Sequence, residues 1–144
     1  MSDKVIAIAC DHAGVALKTL LIEELQKLGK EILDLGTNSD ASVDYPDFAN
    51  AVAKALSEKK ASKAVLICGS GIGISIAANR HRHIRAALCS EPVSARLSRQ
   101  HNDANVICFG ARTIGSEIAR ECVKVFLNTE FEGGRHQGRV DKMS

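Results

Sequence analysis

The chain has no tryptophan, one tyrosine and four phenylalanines in 144 residues. A groove that stacks successive bases of a single-stranded nucleic acid needs a row of exposed rings, so this class of partner is excluded. Charge of one sign is not in excess: the formal net charge is +2. That argues against a general polyanion-binding surface. No apolar run approaches the roughly 20 residues that cross a bilayer, so no membrane segment is expected. There is no CxxC pair, and the five cysteines, at 10, 68, 89, 108 and 122, are odd in number. This excludes a closed disulfide frame and a thiolate zinc site, and it implies reduced thiols and a cytoplasmic location. Met1-Ser2-Asp3-Lys4 runs directly into an apolar strand, so no secretory signal is expected. No linker, internal repeat or low-complexity tract interrupts the chain.

What is there is a well-supplied core. Apolar residues make up 45% of the sequence, and the length predicts one domain over residues 1–144. Val5–Cys10 is a continuous apolar strand. Leucines at 17, 20, 21, 25 and 28 give Val15–Leu28 helical spacing, and Gly29 closes that helix. A short strand follows over Glu31–Leu35. A helix over Tyr45–Ser57 carries Pro46 in its first turn. Strands over Ala64–Ile67, Ile84–Cys89 and Val106–Gly110 alternate with helices after Gly73, after Ser90-Glu91-Pro92 and over Thr113–Leu127. Residues 131–144 read as a glycine-rich basic tail. Five apolar strands alternating with five helices predict an α/β fold. It is a single-domain, Rossmann-like three-layer sandwich with a five-stranded parallel sheet. Ligands in such folds sit at the carboxyl ends of the strands.

One stretch organises this pattern: Val65-Leu66-Ile67-Cys68-Gly69-Ser70-Gly71-Ile72-Gly73-Ile74-Ser75-Ile76. An apolar strand turns through three glycines into a helix N-terminus. Unpaired N–H groups and the helix dipole favour an anion there. It is not a P-loop, because GxxxxGK[ST] is absent. It is not a cysteine-phosphatase loop, because the position six residues after Cys68 holds Ile74 rather than arginine. It has one spacer too few for the GxGxxG of a dinucleotide site, although Glu91 falls near the distance expected of the acid.

Six separated blocks carry a resemblance to a known family. They are Asp11-His12, Asp44-Tyr45-Pro46, Cys68 to Asn79, Cys89-Ser90-Glu91-Pro92, Ser98-Arg99-Gln100-His101-Asn102-Asp103 and Glu132-Gly133-Gly134-Arg135-His136-Gln137. In this order and over nearly the whole chain the sequence resembles ribose-5-phosphate isomerase type B. The wider family includes galactose-6-phosphate and allose-6-phosphate isomerases. The resemblance implies interconversion of an aldose phosphate and a ketose phosphate through an enediolate, with no metal and no cofactor. It also implies a homodimer, or a dimer of dimers, with the active site between subunits.

The resemblance further assigns roles. Cys68 matches the base that moves a proton between carbons. A thiol with an ordinary pKa near 8.5 needs help from its surroundings to do this at neutral pH. Some relatives use a glutamate six residues on, but Ile74 leaves the task to Cys68. The N–H groups of Gly69, Ser70, Gly71, Ile72 and Gly73 match a cradle for the enediolate oxygen, and Ser70 adds an assisting hydroxyl. His101 matches the acid/base that opens the sugar ring, at a predicted helix C-terminus where the dipole favours imidazolium. Arg135 and Arg139 match a phosphate clamp. Asp11, His12, Tyr45, Asn102 and Arg112 match further substrate contacts. The alternatives are an isomerase of a six-carbon aldose phosphate and a nucleotide-binding module without catalysis.

Overall fold

The computed structural model describes residues 3–144; Met1 and Ser2 of the N-terminal reading lie outside the described residues. The elements are β1 Val5–Cys10, α1 Val15–Lys27, β2 Glu31–Asp34, α2 Tyr45–Ser57, β3 Lys63–Cys68, α3 Ile72–Ala78, β4 Ala86–Leu88, α4 Pro92–Gln100, β5 Val106–Gly110, α5 Ser116–Asn128 and α6 Arg135–Met143. A 3₁₀ turn over His12–Gly14 joins β1 to α1.

The sheet has the order β2-β1-β3-β5-β4, and every pairing is parallel. The apolar strands β1, β3 and β5 take the centre, where both faces are covered; the shorter, partly exposed β2 and β4 take the edges. Parallel crossovers are right-handed, so the direction of each step decides its face. The steps β1→β2 and β4→β5 run one way and put α1 and α4 on one face, beside α5; β2→β3 and β3→β4 run the other way and put α2 and α3 on the opposite face. Side chains of β3 alternate accordingly. Val65 and Ile67 join the core under α1, α4 and α5, while Leu66 and Cys68 join the core under α2 and α3. Leu66 and Phe126 are fully buried in these two cores, and emptying such a site costs about 2–5 kcal/mol. The strand order reverses between β1 and β3, and their carboxyl ends form the crevice where such folds bind ligands.

Loops at that edge are tied down by polar contacts. Lys18, buried in α1, donates from Nζ to Asp34 Oδ1 and to Asn38 Oδ1, both at 2.7 Å. The same Asp34 Oδ1 accepts the Gly36 N–H at 3.0 Å. This satisfies a buried charge and fixes the turn after β2, which leads into the loop over the crevice.

Beyond shifts of a single residue at element ends, three regions depart from the sequence reading. The fourth strand is shorter because Ile84 and Arg85 precede it, with the Arg85 N–H held by Asn105 Oδ1 at 2.8 Å. The Asn79 amide then brackets Ala86, donating to its carbonyl at 2.9 Å and accepting its N–H at 2.8 Å. An outward-facing edge strand is thereby covered by a side chain. The fifth helix starts at Ser116 rather than Thr113, because the Thr113 and Ile114 N–H groups both turn back to Gly110 O. The reading of residues 131–144 as a tail is corrected. Gly133 and Gly134 turn the chain at positive φ, and a sixth helix follows, burying His136 and Val140 one turn apart. Two buried positions in nine residues, with Gly138 between them, leave little periodicity to detect.

Candidate active site

The turn after β3 is tightly constrained backbone. Gly71 sits at φ +77° as the N-cap of α3, a region that costs other residues strain. A Cβ there would lie 2.5 Å from Leu88 Cδ1, 2.8 Å from Phe109 C and 2.9 Å from Gly110 N. Gly71 is therefore required twice over, by its φ and by its neighbours. This places the Gly71 N–H so that it donates to Cys68 Sγ at 3.2 Å. The sulfur is almost fully buried and accepts this N–H at the start of a helix. The remaining thiols have no such setting. Burial pushes Cys10 and Cys122 up to about 11 and Cys89 up to about 12, and raises Cys108 further. They remain protonated packing residues.

Of the other sequence-predicted groups at this edge, Ser70, Arg112 and Tyr45 meet at the same turn, and Asp11 and His12 follow the neighbouring end of β1. The Ser70 hydroxyl oxygen accepts the Ile72 N–H at 3.2 Å and so shapes the loop. The loop after β5 is bonded to it: the Ala111 N–H donates to Cys68 O at 2.8 Å and the Arg112 N–H to Gly69 O at 2.9 Å. The Arg112 guanidinium consequently lies over Gly69, 3.1 Å from where a Cβ would be. Gly73 opens space of another kind, since a Cβ there would meet the Tyr45 ring at 2.6 Å. Asp11, buried at the end of β1, accepts the Ala13 N–H at 3.0 Å and caps the 3₁₀ turn. His12 Nδ1 accepts the Val43 N–H at 3.2 Å. Its proton is then on Nε2, which remains available to a ligand. Asp11, His12 and Tyr45 line an open cleft of 570 Å³ with Val43, Asp44 and Asp47.

His101, Asn102, Arg135 and Arg139 are elsewhere. Helix α4 runs back from the carboxyl edge and ends at Gln100, with His101 as its C-cap. Strand β5 then starts at Val106 and ends at Gly110, opposite Cys68. Its four residue steps span roughly 13 Å. His101 and Asn102 thus lie at the amino edge of the sheet, and Cys68 at the carboxyl edge. The α6 segment belongs to the amino edge too. The Glu132 N–H donates to Gln100 O at 3.1 Å, and the His136 ring stacks on His101 with centroids 4.4 Å apart and planes 15° apart. Arg135 and Arg139, one helical turn apart, are exposed on the outer side of α6. The sequence-predicted residues of one chain therefore fall into two groups at opposite ends of one sheet.

A sequence profile of the ribose/galactose isomerase family matches residues 6–143. The chain belongs to the ribose/galactose isomerase family. It is 49% identical to ribose-5-phosphate isomerase B of Escherichia coli over 141 residues, covering 98% of this chain and 95% of that protein. It is 45% identical to a putative sugar phosphate isomerase of Bacillus subtilis, covering 96% and 94%. Among solved structures, a ribose 5-phosphate isomerase from Thermotoga maritima superposes with a TM-score of 0.95 at 48% identity, covering 99% of this chain and 98% of that one. The type B enzyme from Leishmania infantum gives 0.94 at 46%, covering 99% and 95%.

Within this isomerase fold, two residues emerge that the sequence reading left without a role. His136 is buried against His101, and Glu132 Oε1 lies 3.7 Å from its Nε2. Burial, and then the neighbouring imidazole of His101, hold the His136 pKa below the usual histidine value, with Glu132 acting the other way. The i,i+4 spacing of Glu132 and His136 is the signal that could have paired them.

Proposed function

We propose that the protein is an aldose–ketose isomerase that interconverts ribose 5-phosphate and ribulose 5-phosphate, and that it works in the cytoplasm as a homodimer. The observation that carries this reading is the Gly71 N–H on Cys68 Sγ, in a chain whose close relatives bear that enzyme's name over nearly their full length. His101 moves the protons that open the furanose ring and free the carbonyl. The Cys68 thiolate takes the proton from C2, and the C2–H electron pair moves toward C1 as the carbonyl oxygen becomes the enediolate oxygen. N–H groups of the 69–73 turn hold that charge, beyond the Gly71 N–H on Cys68 Sγ and the Ile72 N–H on Ser70 Oγ, with Ser70 shaping the loop. A proton passes from the C2 hydroxyl to the C1 oxygen, and the thiol returns its proton to C1. Nothing is gained or lost overall. Arg135 and Arg139 meet the phosphate, while Asp11, His12, Tyr45, Asn102 and Arg112 make further contacts to the substrate.

An acid or base must stand within hydrogen-bond reach of the atom it serves. Cys68 and His101 of one chain stand at opposite edges of the sheet, so one site requires two chains. A two-fold dimer supplies this, because its interface is self-complementary. Helix α3 is suited to the contact. It runs from the Cys68 turn toward the amino edge, and it exposes Ile72 and Ile76 at 54% and 57%, beside the exposed Leu88. Antiparallel pairing of two such helices sets the carboxyl edge of each subunit against the amino edge of its partner. The substrate assignment is tested by measuring turnover of ribose 5-phosphate and allose 6-phosphate in parallel. The reading expects the pentose phosphate to have the much larger kcat/KM; the reverse order would assign the site to six-carbon sugars.

A further inference from the structure

We propose that His101, Glu132 and His136 form a binding site for Zn²⁺, and that Zn²⁺ held there stops turnover by withdrawing His101 from the reaction. One ligand atom from each of the three residues lies within 4.8 Å of the others. A tetrahedral zinc with bonds near 2.05 Å needs its ligand atoms about 3.4 Å apart. Glu132 Oε1 and His136 Nε2 are already 3.7 Å apart. The remaining closure falls to the exposed Glu132 carboxylate and to His101, whose half-buried ring must turn out of its parallel stack on His136 for both imidazole nitrogens to face one ion. The backbone is fixed in advance. The Glu132 N–H is bonded to Gln100 O, which ties the acid to the residue before His101, and His136 is anchored by its burial in α6. Two imidazoles, one carboxylate and an open fourth position suit zinc; oxygen-seeking Mg²⁺ and Ca²⁺ would find a single oxygen donor. Arg135 and Arg139 stand nearby on α6 and oppose any cation, which further favours a metal that bonds to nitrogen over one held by charge alone.

Occupancy of the site does not depend on the isomerase reading; only the inhibition does. The test separates the two. Isothermal titration calorimetry with ZnCl₂, in buffer free of chelator and phosphate, is run on the full-length wild type and on Glu132→Gln, His136→Asn and Cys68→Ala. One Zn²⁺ per chain is expected in wild type and in Cys68→Ala, with no binding of MgCl₂. Losing a direct ligand should cost at least the about tenfold that losing an outer partner costs, so Glu132→Gln and His136→Asn should each bind at least that much more weakly. Glu132→Gln, altered at an exposed side chain, should retain ribose 5-phosphate isomerase activity and need about tenfold more zinc for the same inhibition. Absence of zinc binding in wild type would overturn the proposal. So would binding that vanishes in Cys68→Ala and is unchanged in Glu132→Gln and His136→Asn, since the thiol would then be the ligand. Zinc binding with these variant effects, but no loss of turnover, would overturn the inhibitory role.

Discussion

Replacing Gly71 with alanine tests whether the glycine turn is a precise scaffold or a tolerant loop. The φ of +77° costs a non-glycine residue about 1–2 kcal/mol. The added methyl also meets Leu88 Cδ1 at 2.5 Å, Phe109 C at 2.8 Å and Gly110 N at 2.9 Å. Leu88 can turn aside, but the backbone of β5 cannot, and such overpacking costs about 1–3 kcal/mol. The expected loss is therefore about 2–5 kcal/mol, a large part of the stability of a domain this size. Gly73→Ala is the matched control. The three atoms nearest its methyl all belong to the side chain of the exposed Tyr45, which can swing away. Alanine also improves helix propensity by about 1 kcal/mol, so stability should be nearly unchanged. Urea unfolding measures both, and steady-state kinetics on ribose 5-phosphate measures the site. Gly71→Ala should lose stability and turnover together as the N–H moves off Cys68 Sγ, whereas Gly73→Ala should chiefly raise KM. Gly71→Ala within about 0.5 kcal/mol of wild type would refute the reasoning, because that is the effect of an ordinary surface change.

Three further outcomes are expected. Cys68→Ala should lose turnover and retain ligand affinity within about tenfold, since the phosphate contacts remain; substantial remaining turnover would remove Cys68 as the carbon base. His101→Asn should slow the net conversion of ribose 5-phosphate by roughly 10²–10⁴. Solvent deuterium wash-in to ribulose 5-phosphate, which needs no furanose opening, should fall less; equal losses would deny His101 a specific part in the ring step. Glu91 caps α4, accepting the Val93 and Ser94 N–H groups at 2.7 and 2.9 Å. Its hydrogen bonds, chiefly with Ser94, hold its pKa below the usual value. A lowered folded-state pKa means stabilisation that is present above the unfolded carboxylate value and lost as pH falls through the folded one. Glu91→Gln should therefore melt below wild type at pH 7, with the gap closing in acid; a gap independent of pH would contradict this.

The layers of the fold were legible because β1, β3 and β5 are apolar at nearly every position, the mark of strands covered on both faces. The turn at Cys68 was legible because its three alternate glycines have few structural uses. Strand order was not, because β4 and β5 each read as a strand without stating which neighbour it takes. The last helix escaped notice because only His136 and Val140 anchor it. The candidate residues were named by their resemblance to a family, but their division into two groups was not visible. His101 follows a helix whose direction only the sheet reveals, and the neighbourhood of His101, Glu132 and His136 exists only once α6 folds back onto the end of α4.

That division is also the central claim, and subunit complementation measures it. Cys68→Ala and His101→Asn chains, each nearly inactive alone, are co-refolded in equal amounts. Random pairing makes half of the dimers mixed, and each mixed dimer has one site with both wild-type groups, so activity should return to about a quarter of wild type. Mixtures of either variant with itself should stay inactive. If Cys68 and His101 of the same chain served one site, every site in the mixture would lack one of them, and no activity above that of the separate variants would contradict the account.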